Sequence, residues 1–464
     1  MPLSLLHYSD IENAYDDPAR IGRLAGLLDS LRDPSTVAVG SGDNTAPGVT
    51  SLVHEGRQAL DFFDAVAPAA DTFGNHDFDY GPAATLDIVR RSPQTWVSAN
   101  VRRGGDLFGR DAGVVPATVV ERGGHRVGLV GVTDPATGSM CPGAAELTFT
   151  DPVAAVERET DRLRAAGVDS VVVLSHLGAG DEALARRTDV DAILGGHVHD
   201  HRVTNVAGTV LTRPGANGHR VLEIDLTTGT VTEHPVADAP CSDPVRTALE
   251  RRRETMDLDE VVGHAEEPIP RDGERTGAGE CRVGNFVADA YRWAADADVA
   301  LQNTGGIREG PPLSGAVTVA DLASVIPFDE PVTVAEVTGA ELRTLARQAD
   351  GNHLDPVPNR WHAHVSGVSI TQHGDGRVTV RHDGDPVAAD ETFRLATSDY
   401  LFYTDHEFPV LTETHRVKTL GTQYEVLAEY ARECGIDPRI EGRVRRGGPG
   451  ESRNVDTEGG EHVD

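Results

Sequence analysis

Lysine is almost missing from this chain. Of its 42 basic residues only Lys418 is a lysine, and the rest are arginines. Set against 74 aspartates and glutamates, they leave a net charge of −32. A surface this acidic repels phosphate backbones and anionic headgroups, which excludes non-specific nucleic-acid binding and electrostatic attachment to membranes. The same balance suits concentrated salt, where repulsion is screened within a few ångströms, and it reads as the protein of an extreme halophile. Cysteine is equally sparse. Cys141, Cys241, Cys281 and Cys434 form no CxxC pair, which excludes a disulfide scaffold and a thiolate zinc site. No apolar run reaches the roughly 20 residues of a membrane helix. The opening MPLSLLHYSD enters a patterned strand without the basic and long apolar regions of a secretion signal, so the expectation is a soluble, cytoplasmic protein.

What is present suffices for substantial cores. Hydrophobic residues make up 39% and charged residues 25% of 464 positions, a length that divides into two or three domains. The first half alternates short apolar runs with helical patterns. Strand-like runs fall at residues 3–7, 36–40, 95–101, 126–132, 170–174 and 190–194. Ile21, Leu24, Ala25, Leu28 and Leu31 follow helical spacing, and Asp151-Pro152 and Gly167 bracket another helix as N-cap, N1 and C′ residues. This predicts an α/β domain over 1–235. A charged helical stretch within 236–262 reads as a linker helix, a second α/β domain runs over 263–444, and the apolar-poor tail 445–464 is expected to be disordered.

In the first domain polar clusters recur at or just after the carboxyl ends of the apolar runs. They are HYSDIEN with Asp10 and Glu12, GSGDN with Asp43, TFGNHDFDYG with Asn75, His76, Asp77 and Asp79, LSHLG with His176, and LGGHVHDH with His197 and His199. Open α/β sheets bind ligands just outside those carboxyl ends, so the five loops can converge on one crevice. Aspartate, asparagine and histidine are the oxygen and nitrogen ligands suited to divalent zinc, manganese or iron. Glycines beside them, Gly42, Gly74, Gly195 and Gly196, allow sharp turns and close approach of the backbone.

This order of motifs, D-x-H, G-D, G-N-H-[DE], H and G-H-x-H with a closing D-F-D-x-G, resembles the metallophosphoesterases and, within them, the 5′-nucleotidase family, here of haloarchaeal type. The resemblance covers nearly the whole chain except the tail. It implies an N-terminal calcineurin-like metallophosphoesterase αββα sandwich and a C-terminal α/β 5′-nucleotidase domain. It implies two divalent ions (manganese, zinc, iron or magnesium), one held by Asp10, Asp43 and His199, the other by Asp43, Asn75, His176 and His197, with Asp43 bridging. It makes His76 a catalytic residue that contacts phosphate, oriented by Asp79. Asp77 replaces a commoner Glu. Glu12 stands where the family pattern has His, and it is either a further ligand of the first ion or a bystander.

The second domain carries GECRVGNFVADAYRW, NTGGIR and VIPFDEPV, which resemble the family's nucleotide-binding domain. Asn303 and Arg308 match N-x-G-G-I-R, and a guanidinium fork suits bidentate phosphate binding. Gly279 departs from members with an arginine there, for which Arg275 or Arg282 can substitute. The family grips the base between two aromatic rings. Phe408 is the candidate for one, and Trp361 or His362 for the other. The implied activity is two-metal hydrolysis of a 5′-nucleotide or related phosphomonoester, a small-molecule substrate. The alternatives are a nucleotide-sugar, nucleotide diphosphate or cyclic-nucleotide hydrolase and, of another class, a non-catalytic nucleotide-binding or sensor protein.

Overall fold

The computed structural model describes residues 3–351, 353–354, 360–373 and 376–447. Its contacts divide into two compact units at Asp257 and Leu258. In the first unit two six-stranded sheets lie face to face. One runs in the order Thr230–Pro235, Arg220–Asp225, Ser4–Tyr8, Thr36–Gly40, Ala70–Asp71, Thr95–Trp96. The other runs His201–Val206, Thr209–Pro214, Ala192–Gly195, Ser170–His176, His125–Thr133, Ala117–Arg122. Leu5, Val37, Val39 and Ala70 of the first sheet meet Leu129, Val172, Leu174 and Leu194 of the second in one apolar layer. Helices cover both outer faces: Ile21, Leu24, Phe62 and Phe63 pack on one side, and Val153, Val156, Leu163 and Leu184 on the other. Central strands covered on both faces bury consecutive residues rather than every second one, as SLLHY and SVVVLSH do. The first unit is therefore an αββα sandwich.

Its local signals behave as the residues dictate. Asp17 caps Pro18–Ser30 by accepting from the Arg20 amide, and Asp151 caps Pro152–Ala165 by accepting from Val153 and Ala154. Gly167 closes the latter helix at φ 74. The charged stretch read as a linker forms the helix Asp243–Glu254, which packs within the first unit. Val245 and Leu249 join the core beside Ile21 and Leu24, and Arg252 forks onto Asp61 at 2.5 and 3.0 Å. The run at 95–101 is not one strand: Thr95–Trp96 ends in the first sheet, and Val101–Arg103 starts a separate small sheet.

The second unit is built on a five-stranded mixed sheet in the order Ala363–Ser366, Val299–Asn303, Thr392–Ser398, Pro331–Thr338, Arg416–Thr422. Helices Arg282–Ala295 and Gln423–Cys434 contribute Phe286, Val287, Tyr291 and Leu427 to the core on one face. Helix Gly339–Gln348 and a four-stranded sheet bury Leu342, Leu345, Ile370 and Val380 on the other. Arg445–Gly447, the first residues of the expected tail, continue strand Val444–Gly447, which pairs in parallel with Val368–His373. The rest of that tail, 448–464, lies outside the described residues.

Candidate metal centre

The strand ends of the sandwich position the first-domain clusters. Ser4–Tyr8 leads into Asp10 and Glu12, Thr36–Gly40 into Asp43, Ala70–Asp71 into Asn75, Ser170–His176 ends on His176, and Ala192–Gly195 leads into His197 and His199. Five strands drawn from both sheets thus feed one end of the sandwich. Donor atoms of Asp43, His176 and His197 lie within 4.8 Å of one another, as do those of Asp10, Glu12 and His199, and those of Glu12, Asp43 and His76. The third group joins the first two. Asn75 belongs to the same cluster, since its Oδ1 is 2.8 Å from His197 Nδ1.

The backbone is strained where these side chains leave it. Asp10, Glu12, Asp43 and His197 all have positive φ, between 47° and 76°, four of the eleven non-glycine residues in that region among the described residues. Such conformations persist only where surrounding contacts over-determine them. Those contacts are present. Asp10 N donates to Gly42 O at 3.0 Å, Glu12 N to Asp43 O at 3.3 Å, and Asn217 N to Asp10 O at 2.7 Å. His197 N donates to Asp10 Oδ1 at 2.9 Å, and His76 N to Asp43 Oδ1 at 2.7 Å. Gly74 is required by proximity alone, because a Cβ there would sit 2.1 Å from Asp43 Oδ1.

Two further carboxylates hold the Asp43 turn from behind. Asp77 accepts from the amides of Asp43 and Gly74 at 2.9 and 2.8 Å. Asp71 accepts from Gly42 N and Thr72 N, from the Asn44 amide and from the Tyr8 hydroxyl. Sequence reasoning noted Asp77 and missed Asp71, whose partners lie up to 63 positions away. His176 gives its Nδ1 proton to Ser41 O at 2.8 Å, which turns Nε2 to Asp43 at 2.9 Å. His76 Nδ1 meets both oxygens of Asp79, at 2.9 and 3.2 Å.

The donor set fits divalent cations. Asp10, Glu12 and Asp43 are three carboxylates at most 2% exposed. Burial, with Asp43 and Glu12 alongside and against the pull of His176 and His199, pushes Asp10 up to about 6. Burial also works against an ionised Asp43, but the imidazoles of His176, His76 and His197 outweigh it and hold that carboxyl well below its usual range. Burial alone would depress His176. Asp43 reverses that and raises it to about 10. Oxygen and imidazole donors without thiolates match manganese, zinc, iron or magnesium.

The second unit distributes its expected residues differently. Asn303 is buried, donating to Glu407 at 3.0 Å and accepting from Gln302 at 2.9 Å. The Arg308 guanidinium lies 5.3 Å over the half-buried ring of Phe328. Arg275 is exposed and paired with Asp272 at 3.1 Å. Arg282 is engaged with the carbonyls of Pro438 and Pro268, at 2.9 and 3.1 Å, and so serves its own domain's packing. The aromatic expectations need correction. Phe408 and Trp361 are both 0% exposed, packed among Leu401, Leu411 and Val365 in the core, and a ring with no open face cannot stack on a base. His362 stays half-buried, its imidazole lowered to about 4 by burial and by Arg360.

The model of the calcineurin-like phosphoesterases matches residues 3–201, and that of the 5′-nucleotidase C-terminal domain matches 261–413. The trifunctional nucleotide phosphoesterase YfkN of Bacillus subtilis is 25% identical over 514 aligned positions, covering 96% of this chain and 35% of that protein. The chain spans about a third of the length of this relative and of the endonuclease YhcR of the same organism. A 5′-nucleotidase of Diplobatis ommata is 24% identical, with 95% of this chain and 89% of that one covered. Among solved structures, a 5′-nucleotidase precursor from Thermus thermophilus superposes with a TM-score of 0.83 at 24% identity, over 96% of this chain and 99% of that one.

Proposed function

The chain belongs to the 5′-nucleotidase family, metal-dependent hydrolases that join a calcineurin-like phosphoesterase domain to a 5′-nucleotidase C-terminal domain, and on that premise we propose that it removes phosphate from 5′-nucleotides or related phosphomonoesters with two divalent ions. The observation that carries this reading is the convergence of five loops, far apart in sequence, on two donor groups joined through Asp43 and Glu12. Asp10, Glu12, Asp43 and His199 would hold one ion, and Asp43, Asn75, His176 and His197 the other. Divalent cations held there supply Lewis acidity toward phosphoryl oxygens and make water acidic near neutral pH.

The chain's own groups do the rest. Asp79 fixes the ring of His76 through Nδ1, so an imidazolium directs its Nε2 proton toward the oxygen that gains charge as the ester bond breaks. The pinned turn at Asp43 keeps the donors in place without reorganisation at the moment of reaction. In the second unit Arg308, held over the half-buried ring of Phe328, offers a guanidinium to an anionic substrate.

The relatives bear the names 5′-nucleotidase, apyrase and trifunctional nucleotide phosphoesterase, which supports a nucleotide substrate and leaves a second reading for this chain. That second reading is a nucleotide sugar, a nucleoside diphosphate or a cyclic nucleotide hydrolysed by the same ions, in keeping with the variety of those names. The test, in high salt with manganese, reads inorganic phosphate released from AMP and p-nitrophenyl phosphate, and substrate lost by chromatography from UDP-glucose and cyclic AMP, whose first hydrolysis yields UMP with glucose 1-phosphate and a nucleoside monophosphate, respectively. Preference for AMP supports the first reading, and preference for UDP-glucose or cyclic AMP the second. Hydrolysis of none overturns both.

A further inference from the structure

Behind the loops that carry His176, His197 and His199 lies a buried ion pair that no motif announces. Arg213, 2% exposed, sits on strand Thr209–Pro214, and Asp181, 0% exposed, opens the helix Gly180–Arg187. Arg213 Nε and Nη2 both donate to Asp181 Oδ2, at 3.2 and 3.1 Å. The same Nη2 donates to the carbonyl of Gly178, two residues after His176. Nη1 donates to Asp200, the residue after His199, at 2.9 Å. The other oxygen of Asp181 accepts from the hydroxyl of Ser175, the residue before His176, at 2.6 Å. One guanidinium therefore ties together the end of the His176 strand, the loop after it and the far end of the G-H-x-H turn.

The packing shows how closely these segments are fitted. A Cβ on Gly195 would lie 2.4 Å from Asp181 Oδ2 and 3.2 Å from Arg213 Cγ, so the turn into His197 rests directly on the pair. A Cβ on Gly196 would lie 2.3 Å from Ser9 Oγ and 2.8 Å from Asp10 Oδ2. The Gly195-Gly196 backbone is thus clamped between the ion pair on one side and the Asp10 loop on the other. Only a planar fork with several N–H groups reaches three acceptors in these directions, and an ammonium on a flexible stem does not. Burying two charges is costly unless their hydrogen bonds are met, and here they are.

We infer that Arg213, with Asp181 and Asp200, is a positioning residue that sets the spacing of His176, His197 and His199 and thereby the affinity of the centre for divalent cations. The inference rests on the reading of those histidines as ligands. Asp200 is the clean probe, because its side chain is 51% exposed and its loss removes the tether without opening a cavity.

The experiment titrates manganese into the metal-stripped full chain by calorimetry in high salt, alongside the thermal midpoint and kcat. The variants are Asp200→Ala, Asp200→Asn and Arg213→Lys, the last keeping the charge that Asp181 needs. Contacts behind a metal ligand are worth about ten- to a hundredfold in affinity. Asp200→Ala and Arg213→Lys should weaken manganese binding by that factor and lower kcat, and Asp200→Asn, which keeps an acceptor oxygen, should recover most of both. Affinity unchanged in Asp200→Ala and Arg213→Lys, lost only in step with a falling midpoint, or not recovered by Asp200→Asn, overturns the positioning role. Failure of the unmodified chain to bind manganese overturns the ligand reading instead.

Discussion

Replacing Glu12 tests the least ordinary feature of the centre. Its carboxylate is 2% exposed, lies 2.8 Å from His199 Nε2, and shares one donor group with Asp10 and another with Asp43. Its backbone holds φ 47, and its amide donates to Asp43 O at 3.3 Å. With Glu12 as a ligand, three carboxylates oppose the four positive charges of two dications. Without it only two do, so the site's residual charge doubles. Glu12→Gln keeps the size and one acceptor oxygen while deleting the charge. Glu12→Ala deletes the ligand, and Glu12→His introduces an imidazole. A lost direct ligand costs at least what a lost supporting contact does, about ten- to a hundredfold in affinity or roughly 1.4–2.7 kcal/mol. Reconstitution of stripped protein with manganese or zinc, read by calorimetry and metal content, should show Glu12→Ala losing one ion and Glu12→Gln binding more weakly. Glu12→His should recover activity with a shift toward zinc, since nitrogen in place of oxygen favours the softer ion. Full occupancy and an unaltered metal preference in Glu12→Ala would refute the reasoning and leave Glu12 a bystander.

His76→Asn should lower kcat by about two to four orders of magnitude with both ions retained. Since His76 shares a donor group with Glu12 and Asp43, loss of metal content would make it a ligand instead. Arg308→Ala should reduce kcat/KM for AMP more than for p-nitrophenyl phosphate, because the smaller ester asks less of the second unit, and equal losses would confine Arg308 to packing on Phe328. Net charge −32 predicts a thermal midpoint that falls when molar salt is exchanged for about 50 mM, and a constant midpoint would contradict a halophilic surface. Burial lowers His7 to about 3 and His364 to about 4, so each is neutral when folded while its unfolded form takes up a proton below its ordinary 6.5. Stability from both is complete above that value and is lost as pH falls toward 4, at up to about 1.4 kcal/mol per unit for each. The urea midpoint should drop over that window, and less steeply in His364→Gln. An equal slope in that variant would show that His364 takes no part.

The polar clusters that form the candidate centre were legible because each sits on a short loop at or directly after the end of an apolar strand, where local pattern and position coincide. The same alternation indicated an α/β domain, while the two-sheet sandwich was implied only by the resemblance of the motifs to a known family. The hairpins formed by His201–Val206 with Thr209–Pro214, and by Arg220–Asp225 with Thr230–Pro235, were not legible, since their outer strands read as polar. Asp71, Asp181 and Arg213 escaped notice for a different reason. A lone aspartate or arginine carries no pattern, and key partners of these three stand 27 to 35 positions away. Phe408 and Trp361 show the converse. Aromatics near a binding motif look the same in sequence whether they face a ligand or a core, and Leu401, Leu411 and Val365 closed over these two. The helix Asp243–Glu254 looks like a solvated linker by charge, yet Val245 and Leu249, one turn apart, anchor it to the first unit.

The central claim is that ions gathered around Asp43 carry the hydrolysis. Its most direct test is phosphate release from AMP in high salt by the stripped chain, before and after manganese is restored, with Asp43→Asn measured in parallel. The account predicts no release without metal, recovery on adding manganese to the native chain, and no recovery in Asp43→Asn. Release by the stripped chain, or full recovery in Asp43→Asn, would contradict it.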